Sequence, residues 1–125
     1  MPSVDFTARV THMAVVQEQL DLHGIRLLRL SGSLTQDGMD VLEPAVEKAL
    51  PDGSRAVVDL ADVDLVTTPG LALIIATTKR LHDTRGRVIF ANARGTVLDV
   101  LRRCKLDEVI EMAGDRDQAV EMAKS

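Results

Sequence analysis

Aromatic side chains are nearly missing from this 125-residue chain, which has no Trp, no Tyr and only two Phe, Phe6 and Phe90. The core must therefore be aliphatic. A stacking platform for single-stranded nucleic acid needs several exposed rings and is nearly excluded. A basic surplus is missing as well: Lys plus Arg total 15 against 19 Asp plus Glu, a net charge of -4. General polyanion binders carry the opposite balance, so no nucleic-acid partner is expected. The lone Cys104 leaves no internal disulfide and no multi-Cys metal site. No apolar run reaches the roughly 18 residues of a membrane span. The opening MPSVDFTARV carries an acid and no long apolar stretch, so no secretory signal is expected and a cytoplasmic location is the default.

What is present suits one globular domain over residues 1–125, with 46% hydrophobic and 27% charged residues. Residues 1–12 are the candidate loose terminus, although 6–11 could extend the first strand. Segments 14–20 and 25–31 read as two strands joined by DLHG, a polar connection with hairpin chemistry. Both faces of the second are partly apolar, which suits a central strand. Residues 36–50 read as a helix, capped by Thr35 or Asp37 and kinked or divided at Pro44. A buried strand at 55–60 precedes a loop at 61–68 and a helix from Pro69 to His82, with Leu71, Ile74, Ile75, Thr78 and Leu81 on its inner face. A strand at 87–92 follows. Thr96 and Asp99 predict the start of a third helix with Val97, Val100, Leu101 and Cys104 inward. A short strand at 108–112 and a final helix opened by Asp115 and Gln118 complete the chain. The expected fold is α/β: a mixed, mostly parallel sheet with about four helices, opened by an antiparallel hairpin.

Catalytic signatures are absent. The chain has no G-x-x-x-x-G-K-S/T, no G-x-G-x-x-G and no G-x-S-x-G. Its three His are scattered, and Asp21 with His23 reads as a solvated turn rather than a ligand pair. Cys104 reads as a small buried hydrophobe; a reactive thiol is the alternative, kept open by Arg102, Arg103 and Lys105. No catalytic residue, metal or cofactor is expected, and the chain is not read as an enzyme.

One segment stands out: VVDLADVDLVTTPGLALIIATTKRL, residues 57–81. A buried strand leads through a short loop to two threonines, then Pro69, Gly70 and an aliphatic helix. Proline suits the first helical position, which makes Thr68 the expected N-cap. Two readings follow. Thr68 is only a cap, worth about 1 kcal/mol. Alternatively, it is a regulatory hydroxyl at the carboxyl edge of the sheet, where α/β domains place binding sites. Phosphorylation there would add about -1.5 to -2 charges that a helix N-terminus tolerates.

The pattern resembles the STAS domain family, named for sulphate transporters and anti-sigma factor antagonists. The resemblance rests on GSLT at 32–35, VVDLADVDLVTTPGLALI at 57–74, FAN at 90–92 and VLDVLRRCKLDEVI at 97–110. It implies a binding module that holds an anti-sigma factor with Ser/Thr kinase activity, is released on phosphorylation, and is reset by a Ser/Thr phosphatase. By position, the family's D-S-S-G falls on Thr67, Thr68, Pro69 and Gly70, so the implied phosphorylation site is Thr68, with Thr67 as the alternative. The implied partner face comprises Ser33, Thr35, Thr67, Thr68, Pro69, Gly70, Leu71 and Leu73. The chain departs from the family where Thr67 replaces an acid, Pro69 replaces a hydroxyl residue, and GSLT replaces G-E-L-D, which makes that neighbouring surface neutral. The resemblance also covers a non-phosphorylated scaffold, or an assembly subunit of a signalling or lipid-transport complex. There the exposed face of the helix, including Leu73 and Ala76, would carry a constant contact, and a homodimer is a further option. A small-ligand module, for a nucleotide or another anion at the Gly70 helix start, is the third reading.

Overall fold

The computed structural model describes residues 15–20 and 23–125. Among the described residues, five strands form one sheet: β1 (Val15–Leu20), β2 (Arg26–Leu34), β3 (Arg55–Val66), β4 (Arg87–Ala91) and β5 (Glu111–Ala113). Among the described residues there are four α-helices, α1 (Met39–Ala49), α2 (Thr68–Asp83), α3 (Gly95–Arg103) and α4 (Arg116–Lys124), and a 3-10 turn at Leu106–Glu108. The strands stand in sequence order, β1 to β5. β2 to β5 run parallel, and β1 lies antiparallel along the outer side of β2, with Val15 opposite Ser31 and Leu20 opposite Arg26. The expected loose terminus, residue 14 of the first expected strand and Asp21 of the expected turn lie outside the described residues.

Strand order decides how the helices are distributed. Parallel crossovers are almost always right-handed, so steps that all move the same way across the sheet put their helices on one face. Accordingly, α1, α2 and α3 pack together on one side. Leu42, Val46, Leu73, Ile74, Leu81, Val97 and Leu101 meet Leu28, Leu30, Val58, Leu60 and Phe90 there in one aliphatic core. Among the described residues the other side has α4 alone, which lays Ala119 and Ala123 on Ile25, Leu27, Val57, Ile89 and Ala113.

Several elements differ from the sequence-based expectation, each for a local reason. β3 continues through 61–66, where a loop was expected. Two bulges explain this. Ser31 pairs with Asp62 and Ser33 with Leu65, so β3 carries one extra residue at each shift. The buried positions become Leu60, Val63 and Val66, a spacing that hides the two-residue alternation of a strand. The α2 face is rotated: Gly70, Leu73, Ile74, Thr77 and Leu81 are buried, while Ile75 is 41% exposed. Gly70 sets this rotation. A Cβ there would stand 2.5 Å from the Leu34 carbonyl oxygen and 2.7 Å from Leu34 Cβ. The bare glycine therefore lets the helix lie directly on the ends of β2 and β3.

α1 starts from Gly38 in the left-handed region (φ 79°), not from Thr35 or Asp37, and it passes through Pro44 as one helix. Pro44 and Asp40, whose carbonyl loses its usual donor, are both exposed, so solvent can take the missing bond. α3 begins after Arg94 with no side-chain cap, and Thr96 is exposed rather than capping. Cys104 is also exposed. The helix ends at Arg103, and Lys105 (φ 58°) turns the chain away, so Cys104 stands beyond the last inward turn. The expected start of α4 is present: Gln118 N–H donates to Asp115 Oδ1 at 2.8 Å, and Gln118 Oε1 accepts from Gly114 N–H at 3.0 Å.

Candidate functional site at the start of helix α2

The parallel strands β2 and β3 end side by side, with Ser33 opposite Leu65 and Leu34 opposite Val66. The chain leaves β3 at Val66 and enters α2 within one residue. Thr67, not Thr68, occupies the N-cap position, with extended backbone (φ −114°, ψ −176°). Its N–H donates to the Leu34 carbonyl at 3.1 Å, and its own carbonyl accepts from Leu71 N–H at 3.0 Å. These two bonds and the Gly70 contact fix the helix start against the sheet edge. Thr68 and Pro69 are therefore the first two helical residues. Proline is compatible with the first turn because no N–H there has an intrahelical acceptor.

The expected capping role of Thr68 is not what the geometry shows, since no side chain caps this helix. Thr67 and Thr68 are both exposed. Neither hydroxyl is engaged, and the N–H groups of Thr68 and Gly70 have no protein acceptor among the described residues. With no acid in the first turn, the positive end of the helix dipole stays unneutralised.

Around this start the structure brings together most of the expected face. Ser33 and Thr35 are half-buried at the end of β2, Pro69 and Leu71 are half-buried on α2, and Gly70 is buried beneath them. Leu73 does not belong to the surface: it is 6% exposed and packs in the core. Ala72, Ile75, Ala76, Lys79, His82 and Asp83 are the exposed positions beyond Thr68 on the helix.

The neutral surface expected from GSLT is also corrected. Ser33 Oγ donates to Asp64 Oδ1 at 2.7 Å, and Asp62 pairs with Arg29 at 3.1 Å. Acids from β3 thus stand where the β2 segment has none. Asp64 and the 40% exposed Leu65 are site neighbours that sequence reasoning missed. Only the bulged register shows that β3 extends far enough to bring them there. Among the described residues no group of three or more His, Cys, Asp or Glu is placed to hold a metal ion. No helix of the described residues is long and apolar enough to cross a membrane.

The opposite, amino-terminal edge is closed by ion pairs. Arg87 forks onto Glu111, Nε to Oε2 at 2.8 Å and Nη2 to Oε1 at 2.5 Å. The hydrogen bonds from this guanidinium hold the Glu111 carboxyl below the usual carboxylate range, and Glu111 raises Arg87 in turn.

Comparison with known proteins fits this architecture. A family model described as "Mlab, STAS domain" matches residues 16–112, most of the chain. No curated protein matches. Among solved structures, an anti-sigma factor antagonist from Mycobacterium paratuberculosis has a TM-score of 0.77 at 21% identity, over 91% of this chain and 97% of that one. A Thermotoga maritima protein described as a putative anti-sigma factor antagonist has a TM-score of 0.80 at 15% identity, over 93% and 99%. The unphosphorylated form of the anti-sigma factor antagonist SpoIIAA, a Bacillus cell fate determinant, has a TM-score of 0.70 at 17% identity, over 88% and 96%. At these identities the structural likeness speaks for the fold. With the family model, it follows that the chain belongs to the STAS domain family.

Proposed function

We propose that this chain is a regulatory protein-binding module that docks a partner over the start of α2, and that phosphorylation of the Thr68 hydroxyl ends the contact. The observation that carries this reading is an exposed hydroxyl with no internal role, on a helix start held rigidly by Gly70 and Leu34. A side chain that caps nothing and stands exposed is free to be covered by another protein or reached by a kinase. A phosphate there would sit at the positive end of α2, so the fold would tolerate it. In a desolvated contact the same charge costs about 2–5 kcal/mol, roughly a thirtyfold to several-thousandfold loss of affinity. The partner in this reading is an anti-sigma factor with Ser/Thr kinase activity, and a Ser/Thr phosphatase restores the binding form.

A second reading is favoured by two substitutions and by the description of the matching family model. Thr67 stands in place of an acid and Pro69 in place of a hydroxyl residue, and the model that fits is an Mlab-type STAS domain. In that case the same face makes a constant contact as an assembly subunit, and Thr68 is an unmodified contact residue.

Affinity capture from the source cells with wild type and Thr68→Glu separates these readings. The switch predicts a phosphorylated bait fraction by mass spectrometry and a partner lost from the Glu variant. The assembly reading predicts unmodified bait and a partner complex that persists through phosphatase treatment. Retention of the same partner by Thr68→Glu at wild-type yield would overturn both.

A further inference from the structure

Among the described residues, the sheet face that carries α4 has a recess between the start of α4 and strands β1 to β3. A cavity of about 300 Å³ lies there, lined by Gln19, Leu27, Arg29, Val57, Asp59 and Arg116. Asp59 is the unusual member. It is one of two buried polar side chains among the described residues, 8% exposed, on a strand whose other buried residues are aliphatic. Its Oδ1 accepts from Ala61 N–H at 2.9 Å and from Asn92 Nδ2 at 3.1 Å. Both bonds fall on the same oxygen. Oδ2 has no protein partner among the described residues, on a side chain that lines the cavity. Oδ2 therefore keeps acceptor capacity free for an occupant of the cavity.

Two guanidinium groups stand on the same cavity. Arg29 is the neighbour of Asp59 across the β2–β3 pairing, and its Nε is held by Asp62 at 3.1 Å. Arg116 opens α4, and its Nη2 reaches Gln19 Oε1 only at 3.5 Å. Arg29 and Arg116 together balance Asp59 and Asp62, so the cluster is formally neutral while its charges are separated. A neutral occupant with separated charges matches it: a cationic or N–H end for Asp59 Oδ2, and an anionic end for the arginines. A simple anion would meet the buried carboxylate, and a simple cation would meet the arginines. The volume is at the small end of ligand sites, with an apolar floor of Leu27 and Val57.

We propose that this cavity binds a small zwitterion of the free amino acid class, with its ammonium on Asp59 and its carboxylate on Arg116. This is independent of docking at α2, because neither Asp59 nor Arg116 belongs to the Thr68 surface.

The test is amide and side-chain NMR of the full chain, titrated with a panel of L-amino acids, with acetate and methylamine as single-charge controls. The expected result is saturable shifts at Ala61, the Asn92 side-chain amide and Arg116 for at least one amino acid below about 10 mM, with both controls about tenfold weaker or worse. Arg116→Ala changes an exposed residue and should fold normally while weakening that amino acid about tenfold. Asp59→Asn should do the same if it folds, and Arg116→Ala keeps the test decisive if it does not. Absence of saturable shifts across the panel would overturn the proposal. So would acetate matching the amino acid, or an unchanged affinity in Arg116→Ala.

Discussion

Helices α2 and α4 both begin at the carboxyl edge of the same sheet, yet their first turns are finished differently. α4 is closed by its own side chains: Asp115 takes the Gln118 N–H, and Gln118 takes the Gly114 N–H. Its last carbonyls are also covered, with Arg87 donating to Met122 O at 2.6 Å and Arg55 to Ala123 O at 2.8 Å. α2 has two threonines at its start, and neither caps. Thr and Asp are both good N-caps, so residue type alone does not explain the difference. Position does. The Thr67 backbone is committed to Leu34 and Leu71, and Thr68 falls one residue inside the helix, facing out. The start of α2 is held from below by Leu34 and Gly70, while Thr67 and Thr68 above stay exposed.

The largest way to break this contrast is from below. Gly70→Ala drives a Cβ into the Leu34 carbonyl and should cost about 3 kcal/mol, because the obstacle is backbone. Thermal unfolding should show a fall of roughly 10 °C, and a change under about 2 °C would mean the close approach is not what seats the helix.

Capping sharpens the contrast at smaller scale. Asp115→Ala should destabilise by about 1 kcal/mol in denaturant unfolding, while Thr67→Ala should cost less than about 0.5 kcal/mol because its hydroxyl caps nothing. Equal losses would show that Thr67 supports the helix after all. Thr67→Asp places a carboxylate on the unused N–H groups and should stabilise by about 0.5–1 kcal/mol.

The smallest effect is at the opposite edge. Arg87 lowers the folded-state pKa of Glu111, so the pair contributes above the ordinary carboxylate range and is lost as pH falls through the lowered value. Because Glu111 is 42% exposed, the contribution is discounted to about 0.5 kcal/mol. Glu111→Gln should therefore lose stability near neutral pH and converge with wild type in acid. A constant gap at all pH values would assign the loss to packing.

The same contrast explains what was legible in the sequence. The α4 cap is a local pattern three residues apart, and it stands as expected. The order of strands and helices was likewise readable from apolar periodicity. The end of β3 was not, because two bulges replaced alternation with a three-residue spacing at Leu60, Val63 and Val66. The inner face of α2 was misjudged because a side-chain stripe omits glycine, and Gly70 is the residue that sets the rotation. Cys104 continued the α3 stripe in sequence but not in space, since the helix ends before it. Thr67, Thr68 and Gly70 were found as a segment. Asp64 beside Ser33, and the meeting of Asp59, Arg29 and Arg116, depend on strand register and on α4 crossing the sheet, which no short pattern encodes.

The central claim is tested most directly by placing a photo-crosslinking amino acid at position 68 in the source cells, with a second chain carrying it at the exposed position 104. A docking face at the start of α2 predicts one dominant crosslinked partner from position 68, absent from position 104 and absent when Thr67 is replaced by Glu. No crosslink from position 68, or the same products from both positions, would contradict it.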